Sequence, residues 1–420
     1  MPTPTTASVA QLQHAHNIVH TSHAVLCASS HPTPVQADAL YPYTPLFPQP
    51  FIPNAPQNFM KNKTVLLALS GGVDSAVAAH LLQQQGYQVK AVFFKLYSDT
   101  KDPITGNCSY LNDLTMARKI AAHLKIPLTV IDKETVYKQK VLTPMYKAFK
   151  KGITPNPDLP CNGLIKFPLL HHESHKQHCP YIATGHYAQT KDGKLLKPQD
   201  QIKDQTYFLA QLTQQDLTNC LFPLHNLTKD QVRAQAKKLK LPNWNKPSTA
   251  GICFIGGMPF RQFLTQKVKG KPGIITDPEG NTIGTHHGIQ SYTIGQHINV
   301  QKPEGIQVKW FVAQKKGTTI LAAPEGHPLL YTKKIKVKNI HTISGHAIPK
   351  IVHIKIRYRS PPLKATLKGT TLTLSTLQTG IAPNLQSLLH LIVNVIFQTN
   401  LNKIYLKIKH LQLVLEFDIL

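Results

Sequence analysis

The segment Ser70-Gly71-Gly72-Val73-Asp74-Ser75 puts two hydroxyls, two glycines and a carboxylate into six positions. Glycine lets a backbone approach a ligand closely and adopt positive φ. If a helix starts here, its first amides and its dipole favour an anion. That is the chemistry of a phosphate or pyrophosphate cradle. The spacing lacks the G-x-x-x-x-G-K-[ST] pattern, so it is not a Walker loop. The plainer alternative is a tight strand-to-helix turn capped by serine. A second segment, Thr154-Pro155-Asn156-Pro157-Asp158-Leu159-Pro160-Cys161-Asn162, reads as an exposed loop stiffened by three prolines. Cys161, with Asp158 before it and Lys166 after it, could be attacked, oxidised or activated. Asp158 could serve as a general base or orient a base edge. The alternative is a turn with an incidental cysteine. A third segment, Gly251-Ile252-Cys253-Phe254-Ile255-Gly256-Gly257, sets a cysteine among apolar neighbours, which suits core packing. Its flanking glycines equally suit the mobility of a carrier thiol. Together, an anion cradle and two cysteines 92 positions apart suggest sulfur chemistry, one thiol carrying a persulfide and the other releasing or relaying the sulfur.

The elements around these residues follow from hydrophobic pattern. Residues 64–69 form a continuous apolar run, as a buried parallel strand requires. A helix is expected over 75–85, with Val77, Ala78, Leu81 and Leu82 on one face, and Gly86 ends it. Strands are expected over 88–97, 128–131 and 181–183, and helices over 111–124 and 137–150. Alternation of this kind predicts a parallel sheet with helices on both faces, with ligands at the C-terminal strand ends. After residue 228 the character changes. A helix over 229–239 precedes Pro242, and from Gly270 turn residues separate short β-branched runs. Residues 334–340, 351–358 and 370–376 alternate as strands, predicting an all-β barrel at the C-terminal end. The expected division is 1–59, 60–228, 229–305 and 306–420.

Composition narrows the function. Lys and Arg number 47 against 20 Asp and Glu, a formal charge of +27. Such a surplus favours a polyanion, nucleic acid before an anionic membrane face. Six cysteines in 420 residues are too few for a disulfide scaffold. The longest apolar run near the C-terminus, 388–397, is broken by His390 and Asn394 and is too short to span a bilayer. The first 59 residues hold ten prolines, one acid (Asp38) and no Lys or Arg. They fit neither a secretory signal nor a mitochondrial transit peptide. They read as a disordered leader or as the product of a mis-called start before Met60. Reduced thiols and a cytoplasmic location are expected.

The motifs, taken together, resemble a family. Residues 70–75 resemble the PP-loop of ATP pyrophosphatases. To them are added Asn156-Pro157-Asp158 with Cys161-Asn162, Ile165-Lys166-Phe167, Ala183-Thr184-Gly185-His186-Tyr187, Lys203-Asp204-Gln205 with Tyr207-Phe208-Leu209, and the segment 251–256. This ordered set resembles the tRNA-specific 2-thiouridylases (MnmA/TrmU family) over roughly residues 60–312, and more weakly to Arg357-Tyr358-Arg359. The resemblance implies a parallel-sheet PP-loop domain of the adenine nucleotide alpha hydrolase type, a small central domain and a C-terminal β-barrel. It implies ATP-dependent 2-thiolation of a wobble uridine in Lys-, Glu- and Gln-type tRNAs, with Mg²⁺ on the phosphates, where Asp74 could help hold it. Ala68, Leu69, Ser70, Gly71, Gly72, Val73, Asp74 and Ser75 would hold ATP, with Phe94 and Gly185 beside the adenine. Cys253 would carry the persulfide, loaded by a cysteine desulfurase or sulfur-relay protein. Cys161 would be its partner nucleophile, and the two could form a disulfide as sulfur passes on. Asp158 would act as acid/base. Asn156, Pro157 and Asp158 would meet the flipped uridine, and Lys203, Asp204, Gln205, Arg357 and Tyr358 the tRNA. No resident metal site is implied, although an iron–sulfur cluster on these cysteines has been proposed for related enzymes. The free protein is expected to be a monomer.

Departures from the family pattern are specific. Ser248-Thr249-Ala250 stands where an acidic residue, Ser, and Thr or Gln are usual. Cys161-Asn162-Gly163 replaces Cys-Asn-Lys, and residues 292–299 lose two cations and a glycine. The last 40 residues contain no glycine, where the family ends on a glycine-rich strand. The altered 248–250 stretch and the C-terminus motivate one competing reading, a tRNA-binding protein with decayed catalysis; a separate alternative is another PP-loop ATP-dependent ligase, which would not need Cys161 and Cys253 together. The cluster His171, His172, His175, His178 and Cys179 reads as a solvated helix face rather than a zinc site.

Overall fold

The computed structural model describes residues 63–98, 109–248, 260–300 and 308–381, with two further strands at Leu389–Ile392 and Gln412–Asp418. The leader, Cys27, Cys108 and the segment 251–257 with Cys253 lie outside the described residues.

Strand β1 (Thr64–Ala68) is apolar and buried along almost its whole length, so it takes the centre of a sheet. It pairs in parallel with β2 (Gln88–Lys95) on one side and β4 (Tyr181–Ala183) on the other. β3 (Leu128–Asp132) extends the first side and β5 (Cys220–Leu221) the second, giving the order β3-β2-β1-β4-β5. The chain therefore reverses its winding between β1 and β4. In such sheets the crevice beyond the strand ends at that point is where ligands bind. Helix α1 (Val73–Gln84) follows β1 directly and buries Ala76, Val77, Ala78, Ala79 and Leu82. Helix α2 (Ser109–His123) buries Ala117, Ile120 and Ala121 in the same core.

The helix expected over 137–150 begins earlier, at Glu134, and is not uniform. A π-helical turn, Lys138–Leu142, separates Glu134–Tyr137 from helix α3 (Thr143–Lys150). The reason is Pro144. Its ring opposes the carbonyl four residues back, at Lys140, and it has no N–H to give. A widened turn just before the proline relieves both problems.

Two smaller β units complete the chain. One is a five-stranded sheet of Gly273–Thr276, Thr282–His286, His297–Ile298, Trp310–Lys316 and Thr319–Pro324. The other is a closed barrel of Tyr331–Thr342, Ile351–Lys355, Leu363–Lys368, Thr371–Thr379, Leu389–Ile392 and Gln412–Asp418. The barrel strands predicted over 334–340 and 370–376 are longer here, and that over 351–358 is shorter. One hydrophobic core runs through both units, joining Ile275, Val312 and Ile320 to Val337, Val352 and Leu372.

Lys315 lies inside this region and donates to the carbonyl of Tyr292 at 2.6 Å. Burial brings its ammonium down to about 7. Between pH 7 and 10 the unfolded chain would therefore hold a proton that the folded chain lacks, so this group makes stability rise with pH through that window. Urea midpoints measured from pH 7 to 9.5 should climb more steeply for wild type than for Lys315→Met. Parallel curves would refute the assignment.

Candidate functional site

The loop from β1 to α1 is tied by its own hydroxyls. Ser75 Oγ donates to the Gly72 carbonyl at 3.0 Å and accepts from the Ser70 amide at 3.2 Å. The two serine hydroxyls lie 3.2 Å apart. Gly72, not serine, is the N-cap of α1, and no side chain caps the helix. The amides of the first turn therefore have no partner within the helix, and Val73, Asp74 and Ser75 all line the cleft in front of them. Gly71 sits at φ +76°, and its carbonyl is turned away to accept from Asn243 Nδ2 (3.2 Å) and Lys246 Nζ (3.3 Å). A methyl on Gly72 would meet only Ser70 Oγ, at 3.3 Å, so the space before the loop is open. At the end of β4, a methyl on Gly185 would come within 2.7 Å of the Ser75 amide nitrogen. Glycine there lets the end of β4 close on the first turn of α1.

Asp74 is not a bare carboxylate. It pairs with Lys229 and accepts from the Tyr187 hydroxyl at 3.1 Å. Lys229 is the first residue of helix α5 (Lys229–Lys238), whose N-terminus is fixed by a capping box of Thr228 and Gln231. Its amide also donates to Asp200, which holds the amides of Ile202 and Lys203 with its other oxygen. Nothing in the local spacing marks Lys229 or Lys246 as part of the loop. Both arrive by tertiary folding.

The segment 154–162 is not an exposed loop. Thr154, Asn156, Asp158, Cys161 and Asn162 are all buried. Asp158–Pro160 opens a helix that passes through a π turn, Cys161–Lys166, into helix α4 (Phe167–Lys176). Prolines at 157 and 160 suit a helix start, where no N–H is required. Asn156 Oδ1 accepts from the Asp158 amide at 3.0 Å, while its Nδ2 is buried with no partner. Asn162 Nδ2 donates to the Phe208 carbonyl at 2.9 Å. Gly163 backs onto Gln211, whose Cβ would lie 2.8 Å from an added methyl. Burial pushes the Cys161 thiol above its ordinary value and Asp158 adds to this, whereas Lys166 and Tyr137 oppose it. His186 stacks on Phe167, hydrogen-bonds Thr184 Oγ1 at 2.8 Å and is pushed down to about 3, first by burial and then by the Lys166 charge. Its ring is neutral at physiological pH.

The barrel closes the site. Tyr358 packs on Phe208 with ring centroids 4.5 Å apart and on Tyr207 at 6.0 Å. Arg357 donates to the Ile294 carbonyl at 2.9 Å. Lys355 pairs with Asp204 at 3.5 Å, and Asp204 also accepts from Thr206 N and Oγ1. Asp204 is therefore buried as part of the joint between the barrel and the nucleotide fold.

These pieces surround one cleft of ≈ 860 Å³. Ala68, Leu69, Ser70, Gly72, Val73, Asp74, Ser75, Phe94 and Gly185 line it, with Asp158, Cys161, Lys203, Gln205, Arg357 and Tyr358. Gly71, Asn156, Pro157 and Asp204 are not among the residues that line it. The cleft also takes in Lys166, which the sequence set beside Cys161, the motif residues His186, Tyr187 and Arg359, to which it gave no role, and Lys229, Lys246 and Ser360, which it did not single out. The histidines expected on a solvated face divide: His171 bonds the Asp216 carbonyl at 3.0 Å and is half-buried. Among the described residues no three His, Cys, Asp or Glu side chains gather as a metal site, and no helix is long and apolar enough to cross a membrane.

Two family models match the chain: a tRNA methyl transferase HUP domain over residues 63–257 and a tRNA methyl transferase PRC-barrel domain over 261–320. The tRNA-specific 2-thiouridylase MnmA 1 of Geobacillus kaustophilus is 40% identical over 318 residues, covering 73% of this chain and 85% of that protein. The chain belongs to the MnmA family. Other members align similarly. The tRNA-specific 2-thiouridylase MnmA of Coxiella burnetii is 39% identical, over 68% of this chain and 81% of that protein. That of Ralstonia pickettii is 36% identical, over 79% and 94%. The parallel sheet and its glycine loop fall within the first matched MnmA segment. Arg357 and Tyr358 lie beyond both matched segments.

Proposed function

We propose that this chain is an ATP-dependent tRNA uridine 2-sulfurtransferase, an MnmA enzyme acting on the wobble uridine of Lys-, Glu- and Gln-type tRNAs. The observation that carries the reading is the shared cleft: the glycine-loop anion cradle, Cys161 and Asp158 all line it, with cations from three parts of the chain. The open space before Gly72 and the unpartnered first-turn amides fit a triphosphate. ATP, when bound, supplies the adenylyl group that turns the uracil C2 oxygen into a leaving group. Asp74 would share a Mg²⁺ ion with those phosphates, as is usual for this metal, which needs few protein ligands. That carboxylate is paired with Lys229 in this structure, and the lysine would have to yield it to the metal.

Asp158 would move the proton at the base. Asn156, whose Oδ1 accepts from the Asp158 amide, and Pro157 would set that carboxylate against the flipped uridine. Lys203, Gln205, Arg357 and Tyr358 would hold the RNA around the flipped nucleotide, with Asp204 fixing their joint. The carrier is assigned to Cys253, loaded by a cysteine desulfurase or sulfur relay, and the nucleophile to Cys161. The body beyond residue 59 carries 47 cations and 19 acids. Binding of tRNA should accordingly weaken as salt rises.

The test combines the full chain, ATP-Mg²⁺, unmodified glutamate tRNA, a cysteine desulfurase and cysteine, with the digested tRNA examined by mass spectrometry. Wild type should make 2-thiouridine, and Cys161→Ala and Cys253→Ala should each lose it by at least about a hundredfold, as removal of a covalent nucleophile does. Product that persists in Cys253→Ala would overturn the carrier assignment. ATP-independent tRNA binding with no product would overturn the enzyme.

A further inference from the structure

The helix that carries Cys161 is built around an irregularity. The N–H of Phe167 donates to the carbonyl of Asn162, five residues back, and residues Cys161–Lys166 form a π turn. Its cause is the one seen at Pro144. Pro168 is the second residue of α4, lacks an N–H, and would press its ring on the Leu164 carbonyl if the helix were regular. The turn before it widens instead.

Widening changes which side chains meet. In an α-helix of 3.6 residues per turn, positions five apart point about 140° away from each other. In a π turn they return to nearly the same face. Cys161 and Lys166 are the first and last residues of this turn, and both line the cleft. By its charge and its hydrogen-bonding capacity the Lys166 ammonium opposes the upward push of burial on the Cys161 thiol.

We infer that Lys166 is the cation that draws Cys161 toward its thiolate against the opposing pull of burial and Asp158, and that the π turn forced by Pro168 is what delivers it. The inference rests on the sulfurtransferase reading, in which Cys161 is a nucleophile. In the activating step the S–H bond breaks, its electron pair stays on sulfur and its proton passes to water in the cleft. Lys166 keeps its own proton throughout. The other groups acting on the thiol are known. Asp158, on the same helix, opposes the thiolate, and Tyr137, reaching in from the helix Glu134–Tyr137, supports it. The neighbouring His186 ring is neutral and adds no charge. A buried thiol beside a carboxylate would otherwise be a poor nucleophile, so the lysine decides whether the sulfur can react.

The test is iodoacetamide alkylation of Cys161 in the full-length protein, followed by peptide mass spectrometry from pH 6 to 10. Lys166→Gln should move the inflection upward and slow alkylation at pH 7.5 by about tenfold, the consequence of a one-unit rise in thiol pKa. Lys166→Arg should stay within about threefold of wild type, because it keeps the charge. Thiolate absorbance at 240 nm, taken as the difference from Cys161→Ser, gives a second reading independent of reagent access. If Lys166→Gln does not fold, Lys166→Met takes its place, with Lys166→Arg still the rescue. Profiles for Lys166→Gln that overlay wild type would sink the inference, even if wild type makes 2-thiouridine. A Lys166-dependent profile in a protein that makes none would uphold the pair and sink the reaction.

Discussion

Gly71→Ala should destabilise the protein by about 2–5 kcal/mol and abolish ATP binding. Two independent penalties add. The residue sits at φ +76°, a conformation that costs an L side chain about 1–2 kcal/mol. The new methyl would also lie 2.4 Å from the Asp113 carbonyl oxygen and 3.2 Å from its carbon. These are backbone atoms of α2 and cannot swing aside, so overpacking adds about 1–3 kcal/mol. Any shift of the Gly71 carbonyl also breaks its bonds from Asn243 and Lys246. Gly72→Ala is the informative comparison. Its φ is −86° and its methyl meets only a serine hydroxyl. That variant should keep nearly full stability while filling the cradle and weakening ATP. Urea unfolding and isothermal titration separate the two. Equal stability of Gly71→Ala and wild type would show that the loop does not hold this backbone.

Lys355→Met should loosen the barrel from the nucleotide fold, with a loss of about 3 kcal/mol. The ion pair with Asp204 is almost dry, its side chains 11% and 4% exposed. Removing one partner of such a pair leaves a buried charge uncompensated, typically at about 3–5 kcal/mol. The bonds from Thr206 to Asp204 put this case at the low end of that range. The double variant Lys355→Met/Asp204→Asn should recover most of the loss, since replacing both members of a buried pair is often nearly neutral. The same cycle can be read in tRNA affinity, because Arg357 and Tyr358 follow directly on the strand that ends at Lys355. A single variant as stable as wild type would mean that the other contacts across it, Tyr358 on Phe208 and Tyr207 and His341 on the Leu212 carbonyl, make the joint.

Much of this was legible in the sequence. The run 64–69, flanked by lysines and followed by glycines, reads as a buried strand entering a turn, and the strand occupies Thr64–Ala68. The alternation of strand and helix to residue 183 gave the parallel sheet, and the pattern after 330 gave the barrel. The burial of 154–162 was not legible, because prolines that stiffen an exposed loop are also the prolines that start a helix. Nor were the π turns. A proline within a helical stretch signals either a stop or a widened turn, and the packing of Tyr137, Met145 and Phe149 against Cys161 and Ile165 decides between them. Lys229 and Lys246 reach the glycine loop across 155 and 175 positions. No local spacing announces such a contact. Asp204 was expected at the RNA because of the motif around it, yet its carboxylate is turned inward to Thr206 and Lys355.

The cleft joins residues made far apart in time. Its floor is the loop that ends at Ser75, and part of its wall is Arg357, Tyr358, Arg359 and Ser360, about 280 positions later. A ribosome adding about 5–20 residues per second needs roughly 15–60 s to cover that stretch. The sheet and the glycine loop can settle while the wall has yet to be synthesised. A nascent chain therefore spends that interval with its nucleotide floor open to solvent, and nucleotide becomes enclosed only in molecules that are nearly complete.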